Sequence, residues 1–417
     1  MEKLAIEGGE PVRKGKSRIP LHEPLIGEEE IRAVAEVLRS KRLVRTYGDK
    51  TSLFEKMLAN YFEVKYAVAV NTGTAAVHLA IATLDIGPGN EVICSPIGFI
   101  TSNTPVLWQN AIPVFADVDE EWGMITAEHI RKRITKHTKA IIVVHLYGHP
   151  ADMDPIIEEA EKHGLYVIED FSQAIGAEYK GRKVGTIGIV NAASLHQSKV
   201  ITTGEGGFIL TNDHEIYEKA FSLSNFGRPL KELHAYTYDY MGYNYRLSEI
   251  MAAIGIEQLR KIDYIIEKRR ENARYLTKKL EHLEGEGIYL PREPPWGKSV
   301  WWIYHIKLDS TLAKYKWDII KALNAEGIGA WGWVIPDNLQ PFYLNKRIYG
   351  NTHCPWSCPY YTGGNIEYRT MCPTAKEFVD STFWLTGCSP TLSREDLDDI
   401  AYALEKVIRA FKVKVKN

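Results

Sequence analysis

The stretch NAASLHQSKVITTGEGGFILTN, Asn191 to Asn212, sets a lysine, Lys199, in a turn just before an apolar strand at Phe208 to Leu210. Thr202, Thr203, Gly204, Glu205, Gly206 and Gly207 fill the space between lysine and strand. A lysine in a tight turn at the mouth of a sheet, with small hydroxyl residues beside it, suits a covalent amine. Such a lysine can form a Schiff base with a carbonyl substrate or an aldehyde cofactor. Most lysines are solvated surface groups, so the reading depends on what the rest of the chain supplies.

Outward from this turn, short apolar runs alternate with helical patterns. An irregular arm over residues 1–26 leads to a helix at Glu28 to Arg39, with Ile31, Val34, Ala35 and Leu38 on one face. A second helix covers Ser52 to Tyr61. Tyr66 to Val70 reads as a strand entering Asn71-Thr72-Gly73-Thr74, followed by a helix from Ala75 to Ala82. Glu91 to Ser95, Pro113 to Asp117, Lys139 to His145 and Leu165 to Glu169 are further strands, with a helix at Met153 to His163. Buried runs alternating with helices imply a mainly parallel sheet covered on both faces, an α/β fold. After Arg246, Leu247, Ile250, Met251, Ile254 and Leu259 share one face of an amphipathic helix expected over about 247–282. It would bridge a large domain, 27–262, to a smaller C-terminal α/β domain, 263–417.

Composition excludes several classes of function. The chain has 417 residues, 45% hydrophobic and 25% charged, with 51 basic against 53 acidic groups. That size allows two domains with sizeable cores. A net charge of −2 gives no overall attraction to nucleic acid or to a membrane surface. MEKLAIEGGEPVRKG mixes both signs and has no apolar core, so it does not read as a signal peptide. No apolar run approaches bilayer length. The expectation is a cytoplasmic protein. Five cysteines are too few for a disulfide scaffold. Cys94, inside a strand run, reads as a buried small hydrophobe. Cys354, Cys358, Cys372 and Cys388 fit no standard zinc spacing, so no metal is expected. Free thiols, or a local disulfide in a hyperthermophilic source, are the remaining readings.

Ligands on such sheets bind at the carboxyl ends of the strands. Gly73 and Thr74, between strand and helix, would form a phosphate seat from free N–H groups and a hydroxyl. Asp170, ending a strand and followed by Gln173, could hold a protonated heterocyclic nitrogen; its alternative reading is a helix N-cap. Phe99 offers a ring to stack on a planar cofactor. Ser194, five residues before Lys199, is a second hydroxyl for phosphate. Phosphate seat, stacking ring, pyridinium partner and Schiff-base lysine are together what pyridoxal 5'-phosphate requires.

These residues lie in longer motifs: AVAVNTGTAAVHLA (67–80), VHLYGHPADMD (144–154), VIEDFSQAIGAEYKGRKVGTIG (167–188), SKVITTGEGG (198–207) and GYNYRLSEIMAAIGIEQL (242–259). In this the sequence resembles the DegT/DnrJ/EryC1/StrS family, the pyridoxal-phosphate sugar and cyclitol aminotransferases of fold type I. The resemblance covers nearly the whole chain and weakens after Ile328. It implies an aspartate-aminotransferase-like fold, with Lys199 as the Schiff-base lysine and Asp170 as the partner of the pyridine nitrogen. Gln173 would lie against the cofactor ring, Gly73, Thr74 and Ser194 at its phosphate, and Phe99 on its face. Asn244 would reach the phosphate of the partner subunit's cofactor, with Arg246 near the same shared site, which implies a homodimer with composite active sites.

The implied reaction is ping-pong transfer of an amino group from glutamine or glutamate to a keto-cyclitol or keto-sugar. LAIEGGEPVR and the HQSK form of the lysine motif are most similar to the cyclitol and aminohydroxybenzoate-synthase branch; the nucleotide-linked keto-sugar branch is the alternative. A related dehydratase chemistry uses histidine at the lysine position, and Lys199 argues against it. A non-catalytic regulatory protein on the same fold is the reading from another class. The chain departs from the family pattern at Trp331-Gly-Trp333-Val-Ile-Pro336, at Trp301-Trp302, at Phe383-Trp384 and in the aromatic segment Tyr343 to Cys372. These rings either wall a substrate pocket, Trp331 and Trp333 foremost, or pack a small-domain core.

Overall fold

The computed structural model describes residues 2–231 and 236–416. In chain order its strands are β1 (Tyr66–Val70), β2 (Glu91–Cys94), β3 (Ile112–Phe115), β4 (Thr138–Val144), β5 (Tyr166–Asp170), β6 (Glu178–Tyr179), β7 (Arg182–Lys183), β8 (Val190–Ser194) and β9 (Gly207–Thr211). There follow β10 (Ile288–Tyr289), β11 (Gly297–Lys298), β12 (Tyr304–Leu308), β13 (Ala330–Trp331) and β14 (Thr382–Leu385). Seven of them form one sheet in the order β1-β9-β8-β5-β4-β2-β3. Only β9 runs against its neighbours; the pairs from β8 through β5, β4 and β2 to β3 are all parallel. Every residue of β2, β3, β8 and β9 except Ser194 is buried, as expected where helices cover both faces of a parallel sheet.

A second sheet, β10-β12-β14-β13, carries its own apolar cluster, with Tyr304, Ile306, Phe383 and Leu385 packed on the helix Arg394–Lys416 side. The third sheet, β11-β6-β7, is a small ribbon joining residues near 180 to residues near 297.

Three expectations need correction. The helix expected over 247–282 is two helices, Glu249–Arg260 and Ile262–Leu280, with Lys261 between them at φ −111, ψ 12. On the first of these, Ala252, Ala253, Gly255, Ile256 and Leu259 are buried, whereas Ile250, Met251 and Ile254 are only half-buried. Gly255 sets that face: a Cβ there would come within 2.7 Å of the Phe54 ring, so the helix Lys50–Phe62 approaches closely. Likewise the helix Glu28–Ser40 turns Val37 and Glu30 inward and leaves Ile31 and Leu38 57% and 53% exposed.

The aromatic segment after Tyr343, for which a C-terminal core is one alternative, packs instead on the edge of the large sheet. The Tyr343 ring lies 5.1 Å from that of Phe115, and the Tyr368 hydroxyl donates to the Pro113 carbonyl at 2.8 Å. Tyr361 donates to Glu91 at 2.7 Å. These rings cover β3, the edge strand, whose unpaired backbone groups would otherwise be open. Within this segment Cys354 and Cys358 form a disulfide with Cα atoms 5.3 Å apart, while Cys94, Cys372 and Cys388 are buried free thiols. Among the described residues no helix is long and apolar enough to cross a membrane.

Candidate active site

The carboxyl ends of β1, β5 and β8 open onto a cleft of about 920 Å³. Its walls include Gly73, Thr74, Phe99, Asp170, Gln173, Ser194 and Lys199, so the residues expected at a cofactor site converge in space.

The lysine turn is held by its own backbone. Leu195 N–H donates to Gly206 O at 2.8 Å, Thr203 N–H to Leu195 O at 3.0 Å, and Lys199 N–H to His196 O at 2.9 Å. Thr202 closes the turn from its side chain, donating to Leu195 O at 2.9 Å. Gly204, at φ +84, takes a left-handed conformation that most residues avoid. The Lys199 amine lies 4.5 Å from the ring centroid of Trp302. Burial pushes its pKa down to about 8, and the negative charge of Asp170 pulls in the opposite direction.

Asp170 ends β5 with both carboxylate oxygens engaged. Ser102 Oγ donates to one at 2.5 Å and the Ser172 backbone N–H to the other at 3.1 Å. These bonds fix the carboxylate plane at the cleft floor. The bond from Ser172 is a local Asx turn rather than a helix N-cap. Glu169, one residue earlier, points to the other face of β5. It accepts from His145 at 2.9 Å and from the backbone of Gly185, Ile187 and Gly188. Burial raises its pKa, but His145 and these N–H groups outweigh it and hold the carboxyl below its ordinary range. Gln173 is oriented by accepting from Tyr147 N–H at 2.9 Å.

Thr72 caps the helix Gly73–Thr83 by accepting from Ala75 N–H at 3.0 Å. Among the described residues this leaves the Thr74 hydroxyl without a hydrogen-bond partner at the helix N-terminus, where the backbone dipole is positive. Gly73 packs on Ser194 so closely that a Cβ would come within 2.3 Å of the serine Cβ. The two strand ends can therefore form one cradle only with glycine here.

Aromatic rings form the rest of the wall. Trp302, Trp331, Trp333 and Trp384 all line the cleft. Trp333 meets Trp384 edge-on at 4.5 Å, and His22 from the N-terminal arm stacks on Trp302 at 5.2 Å. Lys316, buried beneath, donates to the carbonyls of Trp333 and Val379 and anchors this loop. Trp301 instead joins the apolar cluster of the second sheet. Asn244 and Arg246 stand apart from the cleft of their own chain. Asn244 is exposed, while Arg246 donates to Asn225 at 3.0 Å and lies over the Phe226 ring.

Sequence reading missed Ser102, Ser172, His22 and Asp337. The Asp-x-Ser spacing of Asp170 and Ser172 was a readable Asx-turn signal. His22 and Asp337 carry no local signal, since only the tertiary fold brings the arm and the later loop to the cleft.

Comparison with known proteins gives the family. Residues 24–364 match the profile of the DegT/DnrJ/EryC1/StrS aminotransferase family. The chain is 39% identical over 292 residues to a GDP-perosamine synthase of Caulobacter vibrioides, covering 70% of this chain and 78% of that one. It is 38% identical over 311 residues to a UDP-N-acetyl-3-dehydro-alpha-D-glucosamine 3-aminotransferase of Acidithiobacillus ferrooxidans, covering 74% and 80%. Among solved structures it is similar to the Helicobacter pylori aminotransferase PseC, with TM-score 0.83, 28% identity, and coverage of 94% and 100%. The chain belongs to the DegT/DnrJ/EryC1/StrS aminotransferase family, and it is an enzyme of the aminotransferase class.

Proposed function

We propose that this enzyme uses pyridoxal 5'-phosphate to move an amino group from glutamate or glutamine to a nucleotide-linked keto-sugar. The observation that carries the reading is the half-buried Lys199, its amine open to the cleft and its pKa pushed down to about 8, in one cleft with the twice-bonded Asp170. The residues present fit the cofactor, since the Gly73–Ser194 cradle and the uncommitted Thr74 hydroxyl offer a phosphate a seat that a Cβ at residue 73 would fill.

Bound there, pyridoxal phosphate supplies an electron sink for the negative charge that develops at the donor α-carbon. Lys199 Nζ is the group that would hold the cofactor, and as a free amine it would take a proton from the donor α-carbon and return it. Its lowered pKa suits both directions near neutral pH. Asp170, locked by Ser102 and Ser172, is the carboxylate that would hold a proton on the cofactor's ring nitrogen. Gln173 and Phe99 orient the ring, and the tryptophans exclude water from the reacting atoms.

Nucleotide-sugar relatives at 38–39% identity now favour the keto-sugar acceptor over the keto-cyclitol that the opening motif suggested. The assembly we infer is a homodimer. Ile31 and Leu38 remain more than half exposed on one helix face, and Asn244 is exposed and does not line its own chain's cleft. The experiment is a pair of half-reactions: release of 2-oxoglutarate from glutamate, then amination of UDP-N-acetyl-3-dehydro-glucosamine against an inosose. Amination of the inosose alone would reverse the acceptor assignment, and no keto acid from either donor would overturn the function.

A further inference from the structure

Asp337 stands on the cleft wall at the start of a short turn, Asp337–Leu339, and is 6% exposed. One of its carboxyl oxygens accepts from Asn103 Nδ2 at 2.7 Å, and Asn103 in turn accepts from the Tyr343 hydroxyl at 2.5 Å. The other oxygen has no hydrogen-bond partner among the described residues, although the residue borders the cavity that holds Lys199. The side chain is thus held rigidly from behind by Asn103, with its second oxygen left accessible to whatever fills the cleft. Nothing in the cofactor set accounts for it: Asp170 already serves the ring nitrogen, and the Gly73–Ser194 cradle lies at other strand ends.

We infer that Asp337 is a specificity-determining residue, whose free carboxyl oxygen hydrogen-bonds a ring hydroxyl of the sugar acceptor. The inference rests on the proposed keto-sugar function and adds which side chain reads the sugar. Burial pushes the carboxyl pKa up to about 8, against the pull of the Asn103 hydrogen bond. Burial thus favours the protonated carboxyl, the form in which the cleft-facing oxygen donates to the sugar. Because Asn103 Nδ2–H occupies the opposite oxygen, the donor direction is set. A site built to bond a substrate hydroxyl rejects analogues lacking it far more strongly than an apolar wall could.

Half-reaction kinetics of the cofactor-loaded enzyme test this. An amino sugar nucleotide, GDP-perosamine or a UDP-3-amino sugar, is run in the reverse direction, and glutamate is run separately; both are followed by the cofactor's absorbance. Asp337→Leu, close in volume, should lower kcat/KM for the amino sugar by about 30-fold, in the range for losing one buried polar contact. Glutamate, which has no sugar hydroxyl for Asp337 to bond, should change by no more than about threefold, within packing effects. Asp337→Asn, which can accept from Asn103 and still present an N–H to the cleft, should recover most of the loss. Calorimetric binding of the amino sugar nucleotide should weaken in parallel.

Equal loss for both amines with a lowered melting temperature would make Asp337 a purely structural group and overturn the inference. So would an unchanged amino-sugar reaction in Asp337→Leu. A wild-type enzyme that reacts with glutamate but with neither amino sugar would overturn the keto-sugar assignment, and this inference with it.

Discussion

The amine of Lys199 sits 4.5 Å from the ring centroid of Trp302, whose indole N–H is tied to the carbonyl of Ser198 in the lysine's own turn. The ring attracts a cation, worth about 0.5–2 kcal/mol, yet it also excludes the water that would solvate that cation. Desolvation wins, because the pKa falls from 10.5 to about 8. The free amine is therefore the dominant form only slightly above neutral pH.

Capture of pyridoxal phosphate by cofactor-free protein needs that free amine. Its second-order rate should rise with pH through about 8 and level off above it, well before an ordinary lysine would titrate. Trp302→Ala admits water and should move the midpoint upward. Stopped-flow absorbance across pH 6.5–10.5 reads both.

Gly73→Ala would place a methyl within 2.3 Å of Ser194 Cβ. Overpacking of this kind costs about 1–3 kcal/mol, and here it falls on the phosphate cradle. The dissociation constant for the cofactor should rise by about 5- to 150-fold, as measured by equilibrium dialysis, with a smaller loss of stability in the cofactor-free protein.

Glu169 should make the fold sensitive to acid. Its folded pKa lies below the ordinary value of 4.5, so its stabilisation is present above that pH and is lost as pH falls through the lowered value. Glu169→Gln leaves up to three backbone N–H groups and His145 with a weaker acceptor. It should cost about 2–4 kcal/mol at pH 7 and less at pH 3, seen in denaturant titrations at the two pH values.

Leu38→Glu introduces a charge on the exposed apolar face of the helix Glu28–Ser40. If that face lies in a dimer, sedimentation should show monomers, and activity should fall as the Asn244 contribution from the partner subunit is lost. An unchanged sedimentation coefficient would move the dimer contact elsewhere.

Much of this was legible in the sequence because it is local. Tyr66–Val70 as a strand and Met153–His163 as a helix follow from apolar periodicity alone. Lys199, Asp170, Gly73 and Ser194 sit at strand ends that the α/β pattern brings to one edge. The misplaced faces have a tertiary cause. Ile31 and Leu38 have the right spacing for a buried stripe but face away from this chain's core, while Gly255 lets a different side of its helix meet Phe54. The segment after Tyr343 could not be assigned from its composition, since aromatic rings suit a core, a pocket or a covered sheet edge equally well. Asp337 and His22 reach the cleft from opposite ends of the chain, and no short-range pattern announces that.

The most direct test of the central claim is to load the protein with pyridoxal phosphate, reduce the carbon–nitrogen link with borohydride, and map the label by mass spectrometry of peptides. The expected result is one labelled site per chain, on the peptide containing Lys199, and no stoichiometric label in Lys199→Ala. Labelling that is spread over surface lysines, or that persists in Lys199→Ala, would contradict the account.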